Sequence, residues 1–203
     1  ANSSFYKGQN RLNVPRLEKD VGIEVYASKS LGIGGKIRQF SEDFLVEEVL
    51  VDGSKAKISG AQAEAPQLAG GGRYLTCVLV KRNLDTIRAV KKIAKRLGIS
   101  PQRIQFAGIK DAKAVTAQYI SIRGVAPEHL VRVKVKGISL RPLGFSGEMV
   151  FPHMLFGNQF HIIIRAVSHS PSMIEKRLKN IQDELLNLGG VPNFFGHQRF
   201  LSL

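Results

Sequence analysis

Apolar and polar residues alternate along much of the chain in a way that predicts several strands. Residues 44–51 alternate imperfectly, and residues 73–82 form a second run with basic ends, so both are interpreted as strands. The intervening loop, 60–72, is rich in Ala, Gly and Gln, and a hairpin-like pairing of the two strands is expected. Three further strands are predicted, over 116–123, over 131–140 with one basic face, and through the β-branched run Ile162–Ile164, which favours a central position in the sheet.

Two helices are predicted from apolar residues at helical spacing. The first has Asp85 as its N-cap and Gly98 at its C-terminal end, and the second begins at Ser170-Pro171 and ends at Gly189-Gly190. Their apolar faces are made of Ile87, Val90, Ile93 and Leu97 in the first helix, and of Ile174, Leu178, Ile181, Leu185 and Leu188 in the second. The expected class is therefore α+β, with a mixed, mainly antiparallel sheet and flanking helices.

The net charge indicates a class of partner. Thirty lysines and arginines face sixteen acidic residues in the 203-residue chain, which gives a formal net charge of +14. A field of this sign attracts phosphate backbones and releases their counterions, so nucleic acid is the favoured partner. The alternatives are a chance basic surface and an anionic membrane surface. The polar face of the first helix is cationic and is either an ordinary solvated face or a track for an RNA backbone: Arg88, Lys91, Lys92, Lys95 and Arg96.

Several other classes of protein and site are disfavoured. No apolar run approaches the roughly 20 residues of a membrane-spanning helix, and residues 1–13 lack the apolar core of a signal peptide. The single cysteine, Cys77, excludes an intrachain disulfide and favours a small buried residue in a reducing, cytoplasmic setting. The five histidines are far apart, which argues against a metal site. The run Gly32–Gly35 is interpreted as a plain turn rather than a phosphate cradle.

A lysine and an aspartate stand side by side after an apolar run. Residues 104–107 lead into Gly108, which predicts a strand end or tight turn that presents Lys110 and Asp111 at an edge. Because Lys110 and Lys113 flank Asp111, its anionic form should be favoured. An ionised carboxylate can act as a base, a metal ligand or a nucleophile, whereas the simpler interpretation is a turn with surface ion pairs.

Two other polar groupings allow more than one interpretation. The acidic pairs Glu42-Asp43 and Glu47-Glu48 are either internal salt-bridge partners or part of a site. In the last segment, 191–203, three phenylalanines lie beside a histidine, a glutamine and an arginine. That combination suits unstacked bases, but it also suits a C-terminal segment that fills the core.

Four segments, taken in order, resemble the TruD-type tRNA pseudouridine synthases, and the glycine-rich lead-in to the first is most similar to the archaeal branch. They are Gly35–Phe44, Phe106–Gln118, Gly157–Phe160 and Val191–Phe200. The second is the most specific, and the resemblance extends from about residue 14 to residue 200. It implies a pseudouridine synthase catalytic-domain fold and the isomerisation of a uridine in tRNA, typically at position 13, without a cofactor or metal.

The resemblance also implies roles for individual residues. Asp111 matches the family's catalytic aspartate, Phe160 the aromatic residue that stacks on the target base, and Asn158 the nearby amide that orients the site. Arg38 falls where the family has a basic active-site residue, a partner of the aspartate. Further substrate-binding residues are expected from the same segments: Glu42, Phe44, Lys110, Asn193, Phe195, Gln198 and Arg199.

The chain departs from the family pattern near its end. Leu201 stands where the family usually has glycine, and the family continues with an insertion domain and the last strands of its catalytic sheet. Residues 1–203 are therefore expected to be the N-terminal portion of the catalytic domain, with tRNA and the missing remainder as partners. The alternative function is a non-catalytic RNA-binding fragment. A ribosome-associated structural protein would fit the charge but would leave Asp111, Asn158 and Phe160 unexplained.

Overall fold

The computed structural model describes residues 13–60, 66 and 70–191. The chain divides into two units, of which Lys36–Arg165 form the larger, and Ala1–Gly35 with Ala166–Leu203 form the smaller. No described helix is long and apolar enough to cross a membrane. The strands are β1 (Phe44–Leu50), β2 (Gly70–Arg82), β3 (Ile104–Phe106), β4 (Val115–Arg123), β5 (Ile138–Ser146) and β6 (Leu155–Ile162), and the α-helices are α1 (Arg16–Asp20), α2 (Thr86–Leu97) and α3 (Pro171–Asn187).

The larger unit is built on one mixed sheet. Its strand order is β5-β2-β4-β1-β6, and β3 is added alongside β4. Among the described strands, β1 and β4 run parallel, with Leu45 opposite Val115, and the other pairs are antiparallel. The prediction of an α+β chain with a mixed, mainly antiparallel sheet is therefore confirmed.

The hairpin predicted for the first two strands is wrong, because β4 lies between β1 and β2. Every residue of β4 from Val115 to Ile122 is buried, so this strand requires neighbours on both edges and packing on both faces. The connection 51–69 between β1 and β2 is much longer than the few residues of a hairpin loop, and it lets the chain pass over a strand position before β2 begins.

Helix α2 packs on one face of this sheet and has the predicted ends. The carboxylate of Asp85 accepts a backbone hydrogen bond from the first turn at 2.8 Å, and Gly98 ends the helix with φ 68°. Ile87, predicted on the apolar face, is instead 42% exposed. The helix contacts the sheet through an adjacent face, where a threonine and two alanines are small enough to allow close packing. The buried side chains of the helix are Thr86, Ala89, Val90, Ile93 and Ala94.

Two main clusters of buried side chains stabilise the unit. The cluster that contains the α2 residues also includes Leu75, Cys77 and Leu79 of β2. Cys77 is fully buried, as predicted, and burial raises the pKa of its thiol to about 12. The second cluster includes Val78 of β2 and Tyr119 of β4, so both faces of the central strands are covered.

The predicted strand over 131–140 begins later than expected. Pro127–Arg132 form a 3₁₀ helix that buries Leu130, and β5 starts at Ile138 after a turn in which Gly137 has φ 78°. The carbonyl of Gly137 accepts a hydrogen bond from the backbone N–H of Arg82 at 2.9 Å, which fixes the start of β5. The alternation of valines and basic residues before Ile138 therefore belongs to a short helix and a turn.

The isoleucine run predicted as a central strand lies at the end of β6. Within the described residues β6 pairs with β1 alone, so the central position is not found there. Ile162, Ile163 and Ile164 are each about two fifths exposed, at 43%, 39% and 42%. A β-branched run favours extended backbone, but it does not by itself fix the position of a strand within a sheet.

The smaller unit is organised around α3, which has the predicted Ser170 N-cap. Glu184 on this helix accepts hydrogen bonds of 2.7–2.8 Å from the Ser28 hydroxyl, the Lys29 backbone N–H and the Ser30 hydroxyl. These donors lower the pKa of Glu184 to about 2. Folding of the smaller unit therefore favours the ionised form of this carboxyl group.

Candidate active site

Asp111 lies in the turn between β3 and β4, and buried polar side chains hold the backbone of that turn. The Thr86 hydroxyl accepts a hydrogen bond from the backbone N–H of Lys110 at 3.0 Å and donates to Gln118 Oε1 at 3.1 Å. Gln118 Nε2 in turn donates to the carbonyl of Gly108 at 3.0 Å. The turn is thus attached to both the first residue of α2 and the middle of β4.

Lys81, near the end of β2, holds the same turn from another side. Its side chain is fully buried, and Nζ donates to the carbonyl oxygens of Lys110 at 3.1 Å and of Asp111 at 2.7 Å. Burial lowers the pKa of Lys81 to about 8. The negative charges of Asp111 and Asp85 act in the opposite direction, and the positive charge of Lys110 lowers the pKa slightly further.

The carboxylate of Asp111 pairs with Arg38. Nη2 of Arg38 lies 3.1 Å from Oδ1 of Asp111, and the two side chains are 27% and 36% exposed. Arg38 has φ 57°, a left-handed conformation that costs free energy for any residue with a side chain. Strain at a residue that pairs with a partly exposed carboxylate is typical of functional sites.

Two aromatic rings in contact with each other connect Arg38 to the exposed side chains of β6. The guanidinium of Arg38 lies 3.8 Å from the centre of the Phe44 ring. Phe44 meets Phe160 edge to face, with ring centres 5.7 Å apart, and Phe160 is 51% exposed. Asn158 is also exposed and is two residues before Phe160 on β6, so the two side chains start from the same face of the sheet. The structure therefore brings together the carboxylate, the cation, the aromatic ring and the amide.

The side chain of Lys110 points into the protein, not to solvent. Its Nζ lies 2.6 Å from Oε1 of Glu48, and both side chains are almost completely buried. Glu48 also accepts a hydrogen bond from the backbone N–H of Tyr119 at 2.8 Å. The interpretation of Lys110-Asp111 as a turn with surface ion pairs is therefore wrong for the lysine, which anchors the turn to β1 and β4.

These groups have a definite chemical capability. Among the described residues only Arg38 pairs with the Asp111 carboxylate, through Oδ1, which leaves Oδ2 for a ligand, and an exposed aromatic ring nearby offers a flat surface to a planar group. In the part of the chain that the structure describes, no three His, Cys, Asp or Glu side chains are grouped as they would be for a metal ion. The site thus suits carboxylate chemistry on a planar, stacked substrate.

Comparison with known proteins decides the family. The model of the family "tRNA pseudouridine synthase D (TruD)" matches residues 20–202, which is most of the chain. The chain belongs to the TruD family. Its resemblance over four segments, including the one that carries Asp111, is therefore confirmed.

Archaeal proteins are among its similar relatives. A protein assigned as tRNA pseudouridine synthase D from Methanosarcina barkeri is 38% identical over 192 residues, which cover 95% of this chain and 41% of the relative. Another, from Thermococcus onnurineus, is 42% identical over 175 residues, or 86% of this chain and 38% of the relative. A solved structure assigned as TruD from Methanosarcina mazei matches with a TM-score of 0.79 and 37% identity, covering 94% of this chain and 40% of that one. The chain thus spans about two fifths of the length of these relatives.

Three of the four residues in the acidic pairs of this TruD-family chain form salt bridges, Glu48 with Lys110 as described above, whereas Glu47 accepts a hydrogen bond from the backbone N–H of Ile58 at 2.7 Å. Glu42 pairs with Arg82, and both side chains are about half exposed. Asp43 is buried and binds Arg165, with Nη2 2.7 Å from Oδ1, and Arg165 lowers the pKa of Asp43. Asp43 also accepts the backbone N–H of Phe40 at 3.0 Å, so it fixes the segment that leads from Arg38 into β1.

The other substrate contacts predicted for this TruD-family chain fall into two groups. The substrate contacts expected of Glu42, Phe44 and Lys110 stay predictions, and the burial of Lys110 favours a supporting role for it. Four further predicted residues lie outside the described residues: Asn193, Phe195, Gln198 and Arg199. Sequence reasoning assigned no role to Lys81 or Thr86, although a lysine directly after the apolar run of β2 was a usable signal.

Proposed function

We propose that this chain is the N-terminal part of the catalytic domain of a cytoplasmic tRNA pseudouridine synthase that isomerises a uridine, at position 13 as is typical of the family. The observation that supports this most directly is the Asp111–Arg38 pair beside the exposed Phe160 ring in a member of the TruD family. The carboxylate is the residue type that the reaction requires, and it stands where the family has its catalytic aspartate.

The isomerisation needs a carboxylate but no change of oxidation state. The bond between N1 of uracil and C1′ of ribose breaks, C5 of the same base joins C1′, the C5 proton is lost and N1 gains a proton. Asp111 acts as the nucleophile or base in this sequence, and Arg38 orients its carboxylate through the contact of 3.1 Å. Every heavy atom of the base is retained, so the site has to hold the detached base rather than release it.

Phe160 and Asn158 suit the task of holding that base. The half-exposed ring of Phe160 offers a stacking surface on which a uracil can rotate while remaining bound. Its position is fixed from behind by the edge-to-face contact with Phe44. The Asn158 amide, on the same strand and face, can bond to a uracil edge.

The exposed face of α2 is proposed to bind the RNA backbone. All five of its cations are exposed, and the helix contains no acidic residue between Thr86 and Leu97. The helix begins at Thr86, which contacts the backbone of Lys110 beside Asp111, and it extends about 18 Å from there. Phosphates on either side of a nucleotide bound at Asp111 would therefore lie within reach of these side chains.

The test is pseudouridine formation on an unmodified tRNA transcript, measured by chromatography of the digested nucleosides. It is run with this chain alone and with a fused protein in which the C-terminal three fifths of the Methanosarcina mazei relative follows it. Asp111→Asn and Asp111→Ala should abolish product, whereas Asp183→Asn, an exposed aspartate on α3, should not. Normal turnover in either Asp111 variant would show that the catalytic role is assigned to the wrong residue.

The second candidate is a non-catalytic RNA-binding fragment. Two observations favour considering it: the chain spans about two fifths of its relatives, and β6 pairs with β1 alone among the described strands. If this candidate is right, the chain binds tRNA without forming pseudouridine, while the fused protein turns over. Turnover by the 203-residue chain itself would exclude it.

A further inference from the structure

Lys81 is a buried cation that no carboxylate neutralises directly. Its side chain is fully buried, and in the part of the chain that the structure describes no carboxylate oxygen lies within 4.0 Å of its Nζ. Burial of an ammonium group is unfavourable unless its donors are satisfied, so a lysine at such a position requires a specific reason. An aliphatic residue would suit the position next to Leu79 and the core better.

Both acceptors of this ammonium group are backbone carbonyls of the turn that carries Asp111. Nζ donates to the carbonyl of Lys110 at 3.1 Å and to the carbonyl of Asp111 at 2.7 Å. These carbonyls stand on either side of the Asp111 α-carbon, so the lysine restrains the two peptide planes from which the side chain projects. Rotation of either plane would move the carboxylate relative to Arg38.

Thr86 and Gln118 hold the same turn on its other side. Together with Lys81 they bind four backbone groups of the turn, namely the carbonyl of Gly108, the N–H and carbonyl of Lys110, and the carbonyl of Asp111. Only Lys81 is a cation among these three side chains, and only Lys81 binds the peptide that follows Asp111. The charged groups that face it are Asp111, Asp85 and Lys110.

We propose that Lys81 is a positioning residue for the isomerisation: by holding the carbonyls of Lys110 and Asp111 it orients the Asp111 carboxylate toward the target nucleoside. This inference rests on the proposed function for its catalytic consequence, but the restraint of the turn is independent of it. Lys81 itself touches no substrate, because it is buried behind the turn.

The turn can be examined in this chain by amide hydrogen exchange, whether or not the chain is active. In Lys81→Met, peptides that cover 106–113 should exchange faster than in the wild type, while peptides from β4 keep their protection. The matched control is Leu79→Ala, a fully buried neighbour on the same strand, which removes core contacts but none of the side-chain hydrogen bonds to the turn and should not loosen 106–113 selectively. Unchanged exchange over 106–113 in Lys81→Met would overturn the proposal.

Turnover supplies the second readout, in whichever of the chain and the fused protein forms pseudouridine. Lys81→Met should lower kcat by about a hundredfold, the effect of a misplacement of roughly 1 Å, with the Kd for tRNA unchanged. Leu79→Ala should leave kcat within a few fold of the wild type. If Lys81→Met does not fold, Lys81→Gln, which retains a neutral donor, is measured in the same way. If a folded Lys81 variant has the kcat of the wild type, the positioning role of Lys81 is contradicted. If hydrogen exchange over 106–113 changes as expected but the wild-type protein itself forms no pseudouridine, the proposed function is contradicted instead.

Discussion

The cationic face of α2 yields a prediction in which RNA binding weakens while stability is nearly unchanged. The perturbation is the triple variant Lys91→Gln, Lys92→Gln and Lys95→Gln, which removes three exposed charges. It disrupts every i,i+4 like-charge pair on this face, Arg88–Lys92, Lys91–Lys95 and Lys92–Arg96. Each such pair costs about 0.2–0.5 kcal/mol, so their loss should relieve about 0.6–1.5 kcal/mol of repulsion.

Two other effects act on the same helix, and one of them offsets part of this gain. Gln and Lys have similar helix propensities, so the substitutions have little intrinsic effect. Loss of Lys95 removes one favourable charge from the last turn, which costs about 0.3–1 kcal/mol. Taken together, these effects should keep the free energy of unfolding of the variant within about 1 kcal/mol of the wild-type value, as measured by urea denaturation.

Binding to tRNA should weaken in the same variant. Each phosphate contact contributes about 0.7–0.9 to the slope of log affinity against log salt concentration, so three lost contacts should flatten the slope by about 2–3. Between 50 and 200 mM salt, the affinity of the wild-type protein should therefore fall about 20- to 40-fold more than that of the variant. Filter binding of an unmodified transcript over a salt series measures both quantities.

The control removes the same net charge elsewhere. Lys19, Lys29 and Lys176 are exposed in the smaller unit, and their combined change to Gln should leave most of the salt slope intact. Equal flattening in both triple variants would mean that net charge alone attracts the RNA. An unchanged slope in the α2 variant would show that this face does not bind phosphates, and the helix would then be an ordinary solvated one.

Three further predictions follow from individual contacts. Arg38→Met should leave the fold intact and lower turnover strongly, because Asp111 loses its cation, and Arg38→Lys should retain part of the activity; equal activity in all three proteins would contradict the pairing. Phe160→Ala should lower kcat/KM by about 5- to 150-fold, since base stacking contributes about 1–3 kcal/mol, whereas Phe160→Tyr should remain active; the reverse order would argue against stacking. The pKa of Glu184 is below its unfolded value, so its contribution to stability is complete above about pH 4.5 and is lost as the pH falls toward 2. Glu184→Gln should remove this pH dependence from acid unfolding curves, and a curve identical to that of the wild type would refute the prediction.

Local patterns in the sequence were sufficient for most elements of the fold. Residues 44–51 and 116–123 are strands within one residue of the predicted bounds, and both main helices have the predicted caps. Strand order could not be predicted in the same way, because the parallel pairing of β1 and β4 joins residues about 70 positions apart. The amphipathic alternation that identifies a strand carries no information on its neighbour.

The groups proposed to react with or bind the substrate could be predicted from the sequence, but the side chains that hold them in position could not. Asp111, Arg38 and Phe160 were found through the resemblance to the TruD family, and their proximity is visible only in the structure. Lys81 was read as the basic end of a strand, because its acceptors are backbone carbonyls and no sequence pattern marks a buried carbonyl. Lys110 was expected at the surface for a similar reason: its partner, Glu48, lies on a distant strand.

The most direct test of the central claim follows the C5–H bond of the target uridine. A tRNA transcript carrying tritium at C5 of its uridines is incubated with the 203-residue chain and with the fused protein, and tritium release is measured over time. Because C5 exchanges its hydrogen for a bond to ribose, the wild-type fused protein should release one tritium per pseudouridine formed, and Asp111→Asn should release none. Release at the wild-type rate by Asp111→Asn, or no release by the wild-type fused protein, would contradict the account.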